Sequence, residues 1–333
     1  MNELISLAHG DGGEWSHQLI KEVFVEYFGN SKEAVFDAAS INIDFIKLAI
    51  TTDTFVVKPL FFSGGSIGKL AVAGTVNDLI VSQAIPLYLT CGFVIEEGFP
   101  ISELKRIVKE MKQEADKAGV KIVAGDTKVV ERGSCDGIFI NTTGIGKQLG
   151  ENPTNESFEI GDQVIITGTI GDHGVSILSA RDQMNFTVNV DSDCASLNHM
   201  LLDVWNQVSD VRIMRDPTRG GLATTLVEIA EDFNLTILLS DTEVPIKEQV
   251  HGVCDLLGFD PMYVANEGKS IIIVKKDKAT EVLSILKQHK EGIDAAIIGE
   301  ITGKEKGRLL VETPLGSKRM LSRLSGTMLP RIC

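Results

Sequence analysis

The sequence predicts a two-domain protein of the α/β (α+β) class, in which strands and helices alternate in both halves. Three observations lead there. The 333 residues exceed one typical domain. A polar, turn-rich stretch at 149–159 separates two patterned regions. Within each region, apolar runs of strand length alternate with stretches whose apolar residues recur every three or four positions.

In the first half, 48–57 reads as a strand, 67–84 carries helical spacing and 86–95 is strand-like. Ile101, Leu104, Val108, Met111 and Ala115 recur at helical steps, so 101–118 is an amphipathic helix. Strands are expected at 121–124 and 137–145. Beyond the linker come a strand at 163–170 and helices at 173–181, 195–209 and 220–233. A strand at 235–240, a helix at 247–257 and a strand at 270–275 follow, then a helix near 278–289 and strands at 295–301 and 307–313. The domains are placed at 1–148 and 160–324. The tail, 325–333, has no sustained period, and Pro330 biases Leu329 toward extended backbone, so it reads as a mobile arm.

Composition narrows the function. With 32 basic and 46 acidic residues the net charge is −14, which disfavours nucleic acid and anionic membranes as partners. A small phosphate ligand stays possible if a divalent cation screens the acids. No run approaches a membrane span, and the N-terminus lacks the basic and apolar regions of a signal peptide. Five cysteines without a C-x-x-C spacing argue for neither a disulfide framework nor a zinc site, and the expected location is the reducing cytoplasm.

Gly64-Gly65-Ser66-Ile67-Gly68-Lys69-Leu70 is not a P-loop: one residue is missing between the glycines, and Leu70 replaces the required hydroxyl. The acidic residues are more informative. Asp53 lies mid-strand, where a charge is costly unless paired or metal-bound. Asp78 follows Asn77 in a helix, Asp126 lies just past a short strand, and Asp216 opens a turn before a helix. Dispersed carboxylates suit magnesium with a nucleotide, yet each could equally be a cap or turn residue. The glycine-rich turns at 9–13 and 171–174 could cradle phosphate or simply turn the chain. Lys128 shares a strand face with Asp126 and could neutralise phosphate oxygens. Glu267, at a strand entry, could be a base or a solvated side chain. Cys333 ends the chain; it is not a prenylation box, and a thiol on a terminal arm is accessible.

Seven segments resemble the HypE family of hydrogenase-maturation proteins, within the aminoimidazole ribonucleotide synthetase-like (PurM-like) superfamily. They are HGDGGEWS (9–16), TTDTFVVKPLFFSGGSIGKLAVAGTVNDL (51–79), VAGDTKVV (123–130), GDHG (171–174), RDPTRGGLA (215–223), NEGK (266–269) and the terminal PRIC. The resemblance implies two PurM-like domains with mixed sheets covered by helices, and a homodimer. It implies ATP bound by Asp53, Lys69, Asn77, Asp78, Gly125, Asp126 and Thr127, with Mg2+ on Asp53, Asp78, Asp126 and Asp216. It further implies that a carbamoyltransferase, HypF, loads Cys333, and that the resulting S-carboxamide is dehydrated to a thiocyanate at the expense of ATP. Lys128 would stabilise the phosphorylated oxygen and Glu267 would take a nitrogen proton. The cyano group would pass to iron held by a HypC–HypD complex.

Overall fold

The computed structural model describes residues 13–25, 36, 38–43, 46–181 and 188–324. Helix α1 (Glu14–Leu19) continues as a π-helix over Ile20–Val25. Next come β1 (Ala39–Ile43), β2 (Ile46–Phe55), the small hairpin β3 (Phe61–Phe62) and β4 (Gly65–Ser66), and α2 (Ile67–Val81). They are followed by β5 (Ala84–Glu96), α3 (Ile101–Ala118), β6 (Lys121–Val130) and β7 (Ile138–Gln148). One five-stranded sheet results, ordered β1-β2-β7-β5-β6, in which only β5 and β6 run parallel.

The second half runs β8 (Gln163–Ile166), α4 (Asp172–Ser179), α5 (Asn198–Gln207), β9 (Val211–Arg215), α6 (Gly221–Asp232), β10 (Thr236–Ser240) and α7 (Glu248–Leu257). It ends with β11 (Ile271–Val274), α8 (Ala279–Leu286), β12 (Ala296–Gly303), β13 (Arg308–Glu312) and β14 (Lys318–Leu321). Its seven strands are ordered β14-β13-β10-β12-β8-β11-β9, with β10 and β13 the parallel pair. The architecture is the expected α/β class with two mixed sheets. Among the described residues no helix is long and apolar enough to cross a membrane.

Two helices position the site, for opposite reasons. α3 is amphipathic: Ile107, Met111, Ala115 and Ala118 bury one side, and Gly119 in the left-handed region at φ 70° ends it. α2 is apolar all round, which marks a helix enclosed on every side. Only Lys69 and Asp78 escape burial along it. Ser66 caps its start by accepting the Lys69 N–H at 3.2 Å. It stops at Val81, short of the expected 84, because Gln83 takes φ 59° and Ala84 already belongs to β5.

Strand β6 is longer than expected. It pairs with β5 as far as Val130 although its residues up to Val129 are exposed. Strands β1, β9 and β14 were not expected. In β9 the guanidinium of Arg212 is drawn into ion pairs with Asp162 (3.0 Å), Glu159 (3.5 Å) and Asp210 (3.6 Å), which lets a charged segment serve as an edge strand.

Candidate active site

Alternation along β2 buries Thr51 and Phe55 and exposes Thr52 and Thr54. Asp53 shares the side of Thr51 and Phe55, facing α2: a Cβ at Gly74 would lie 3.8 Å from its Oδ2. Thr51 Oγ1 donates to Asp78 Oδ2 at 2.8 Å, so strand and helix hold these two acids near each other. Burial raises the Asp53 carboxyl above the usual range, against the pull of Arg219 and of the Thr54 N–H. Arg219 belongs to the second half, so the two domains meet here.

Glu267 is the centre of the meeting. It is buried, and its proton affinity is pushed well up, first by that burial and then by the charges of Asp53, Asp193 and Asp216; Arg219 opposes them. Three chain segments therefore place charged groups around one carboxyl. The turn Asp216-Pro217-Thr218-Arg219-Gly220-Gly221 is shaped for close approach. Gly220 and Gly221 sit at φ 77° and 63°, and a Cβ on Gly221 would press on the main chain of Met262 and Val264. Asn266 ties the segments together. Its Nδ2 donates to Pro217 O at 2.9 Å, and its Oδ1 accepts the Gly171 N–H at 2.8 Å.

The turn at 171–174 supplies a second layer. Asp172 is raised by burial, although Thr169 (2.6 Å) and Lys247 (2.7 Å) both donate to it. His173 is wholly buried and lowered to about 4, with its Nδ1 2.9 Å from Ser192 Oγ. At this turn the Gly171 and Gly174 N–H groups are engaged within the protein, by Asn266 Oδ1 and by Ala265 O.

The candidate residues do not all converge within one chain. Lys69 Nζ donates to Gly64 O at 2.9 Å, at the mouth of α2. Asn77 is buried, and its side chain is bonded to main chain of the second half. Asp126 pairs across β5 and β7 with Gly92 and Asn141, in the row of Thr54. Asn141 Nδ2 meets Thr54 Oγ1 at 2.9 Å on that face, the one turned away from α2. Three strand spacings of about 4.8 Å separate Asp126 from β2. Gly125, Thr127 and Lys128 share this exposed edge strand. Among the described residues no three His, Cys, Asp or Glu side chains close up into a metal-binding group. Cys333 and residues 9–12 lie outside the described residues. Gly13 is described: a Cβ on it would strike Leu324 O, and the Glu14 N–H donates there at 3.0 Å.

Sequence reasoning missed Asp193, and left Arg219 and Lys269 without roles. The signal for Asp193 was slight, an Asp-Ser-Asp run at 191–193 in a loop.

Comparison with known proteins matches the architecture to named families. The N-terminal domain of AIR synthase related proteins matches residues 36–148, and the C-terminal domain matches 159–312. Carbamoyl dehydratase HypE of Rhodobacter capsulatus is 42% identical over 336 residues, spanning 100% of this chain and 99% of that protein. The chain belongs to the HypE family of carbamoyl dehydratases. A solved HypE–HypF complex superposes with TM-score 0.86 at 46% identity, covering 92% of this chain and 99% of that one. HypE solved in complex with ATP gives 0.82 at 45% identity, covering 99% and 100%. The segments that carry the HypE resemblance in the sequence contribute Asp53, Asp78, Asp216, Arg219 and Glu267 to the site between the domains.

Proposed function

We propose that this chain uses ATP to dehydrate a carboxamide carried on the sulfur of its own Cys333 to a thiocyanate, the source of cyanide for the iron of a nickel–iron hydrogenase. The observation that carries this reading is Glu267, a buried carboxyl ringed by Asp53, Asp193 and Asp216 and faced by Arg219, in a chain of the HypE family. A carboxamide oxygen is a poor leaving group. Transfer of the γ-phosphoryl of ATP to that oxygen forms an O–P bond and releases ADP. Two N–H protons must then leave as the C–O bond breaks, giving the C≡N bond and inorganic phosphate. Glu267 accepts one of these protons, and the departing phosphate can carry the other. Burial of the site excludes water, which would otherwise hydrolyse the activated carboxamide.

An all-oxygen donor set fits Mg2+, and since no three of the acids close on one point within the described residues, Asp53, Asp78, Asp126 and Asp216 would hold it jointly with phosphate oxygens of the nucleotide. When bound, it supplies positive charge that offsets the phosphates. Asp126 and Lys128 stand on the open face of the edge strand, so they reach the nucleotide by way of a second copy. Support for a homodimer lies on the same strands: Tyr88, Ile122, Val123 and Val129 are exposed apolar residues of β5 and β6. In that assembly Lys128 neutralises the phosphorylated oxygen. The expected partners are a HypF carbamoyltransferase, which loads Cys333, and a HypC–HypD iron carrier, which receives the cyano group in the cytoplasm. The nine residues of 325–333 span roughly 30 Å when extended, enough to carry Cys333 between partner and nucleotide.

Mass spectrometry of Cys333 after incubation with carbamoyltransferase, carbamoyl phosphate and ATP tests the reading. The adduct should appear and then lose one water. Cys333→Ala should accept nothing. Lys128→Ala and Glu267→Ala should load normally and then dehydrate roughly 10²–10⁴-fold more slowly. Normal thiocyanate formation in either variant removes that residue from the mechanism.

A further inference from the structure

The main chain of Glu267 is gripped at both of its polar groups. Its N–H donates to Asp193 Oδ1 at 3.1 Å, and its carbonyl accepts from Asn77 Nδ2 at 3.4 Å. Asp193 also receives the Gly268 N–H at 3.3 Å and stands 3.7 Å from Lys269 Nζ. Its carboxylate is 1% exposed, so these contacts are made away from water. Gly268 packs so closely that a Cβ there would run into the Asp193 carbonyl oxygen.

Asn77 joins the same loop from the other domain. Its Oδ1 accepts the Leu197 N–H at 2.8 Å, and its Nδ2 also donates to Ala195 O at 3.0 Å. The loop bearing Asp193 is thus stapled to α2 by the residue that holds the Glu267 carbonyl. On each side of Glu267 the chain is fixed again, by Asn266 on Pro217 and by the Ser270 N–H on Thr167 Oγ1 at 2.9 Å.

We propose that Asn77 and Asp193 are a positioning pair that fixes Glu267 for proton transfer, one from each domain, and that Asn77 acts there rather than on the nucleotide. The proposal rests on the reading of Glu267 as the proton acceptor. Neither residue touches substrate; Asn77 acts through the Glu267 main chain, and Asp193 acts through that main chain and through its charge. A carboxyl displaced by about 1 Å from its productive place loses on the order of a hundredfold in rate. An entropic role of this kind leaves nucleotide affinity alone, because the phosphate contacts are made by other groups.

The test uses the full chain, carbamoylated on Cys333 by the transferase, in single-turnover dehydration, with Mg-ATP affinity measured separately by calorimetry. Asp193→Asn keeps the side chain's shape and one accepting oxygen. Asn77→Ala removes the second grip. Each should dehydrate the adduct about a hundredfold more slowly, with loading and Mg-ATP affinity unchanged. In the Glu267→Gln background, Asp193→Asn should add nothing further, since a residue that works through Glu267 has no separate effect once Glu267 is gone. Full-rate dehydration in Asp193→Asn overturns the proposal, even if Asn77→Ala fails to fold. So does an additive loss in the double variant, or a fall in Mg-ATP affinity for Asn77→Ala. If Glu267→Gln itself dehydrates at full rate, the reading of Glu267 fails first, and that outcome is distinct from the others.

Discussion

Acidification should destabilise this protein through one imidazole. His173 is wholly buried, its Nε2 has no partner among the described residues, and the Phe62 ring stands edge-on 5.6 Å away. Burial lowers it from 6.5 to about 4, against the weaker pull of Asp193. The unfolded chain takes up this proton near the ordinary value, while the folded chain holds it off until about 4. Between the two the unfolded state binds more protons, so stability is full above the window and falls as pH drops through it. At about pH 5 the loss amounts to roughly 2 kcal/mol, rising to about 3 kcal/mol across the whole window. The raised carboxyls Asp53, Asp172 and Glu267 work in the opposite direction, because they protonate more readily folded than unfolded. The comparison that isolates His173 is therefore wild type against His173→Gln, by urea denaturation at about pH 7.5 and about pH 5. The variant should be the less stable at the higher pH, having lost packing and the Ser192 contact. Its deficit should shrink by about 2 kcal/mol at the lower pH. A deficit that stays constant would refute the reasoning.

Two further outcomes are expected. Asp78→Asn and Asp126→Asn should each weaken Mg-ATP binding strongly, since each removes a carboxylate from the proposed magnesium set; unchanged affinity by calorimetry in both variants rules that set out. Val123→Glu and Val129→Glu put charge on the exposed rows of β6, where Val123 is 57% and Val129 67% exposed. Light scattering at micromolar concentration should show a dimer for the native chain and monomers for these variants, and a native monomer removes the shared site.

How legible each element was depended on how locally it is determined. Helix α3 was read to the residue because one side is apolar, Pro100 precedes it and Gly119 turns the chain left-handed at its end. Helix α2 was recognised but drawn too long, since the apolar run resumes at Ala84 after only Ser82 and Gln83, and the φ of Gln83 marks the break. Strands β9 and β14 were missed because their charged residues find partners far along the chain, as Arg212 does with Asp162, and Arg319 with Asp260 at 2.9 Å. In the site, Asp53, Asp216 and Glu267 were named singly, but periodicity could not say that they meet, nor that Asp126 and Lys128 lie on the other face of the sheet. Asp193 stood 74 residues from the backbone it holds, and no local pattern reports such a bond.

The enclosure of α2 explains why the polar groups of this site are so constrained. A helix buried on all sides leaves each polar side chain it carries with a cost to meet, since an unpaired buried polar group is unfavourable by about 1–3 kcal/mol. Thr75 meets it through the Thr142 hydroxyl at 2.5 Å, and Asn77 through three main-chain groups of the second domain. Lys69 and Asp78, the two residues of α2 that escape burial, are also the two placed toward the mouth of the helix and toward Asp53. The helix therefore separates its polar residues by exposure. Of those it buries, Thr75 ties the helix to β7 and Asn77 joins the domains and holds Glu267, while Lys69 and Asp78 keep partial exposure. An acidic cluster assembled from two domains would by itself push them apart, since Asp53 approaches Asp193, Asp216 and Glu267 from the other side of the boundary. Arg219 and the Asn77 contacts oppose that repulsion without a ligand. The site is thus held ready in advance, and in the proposed reaction a cation would relieve a repulsion that the fold already sustains.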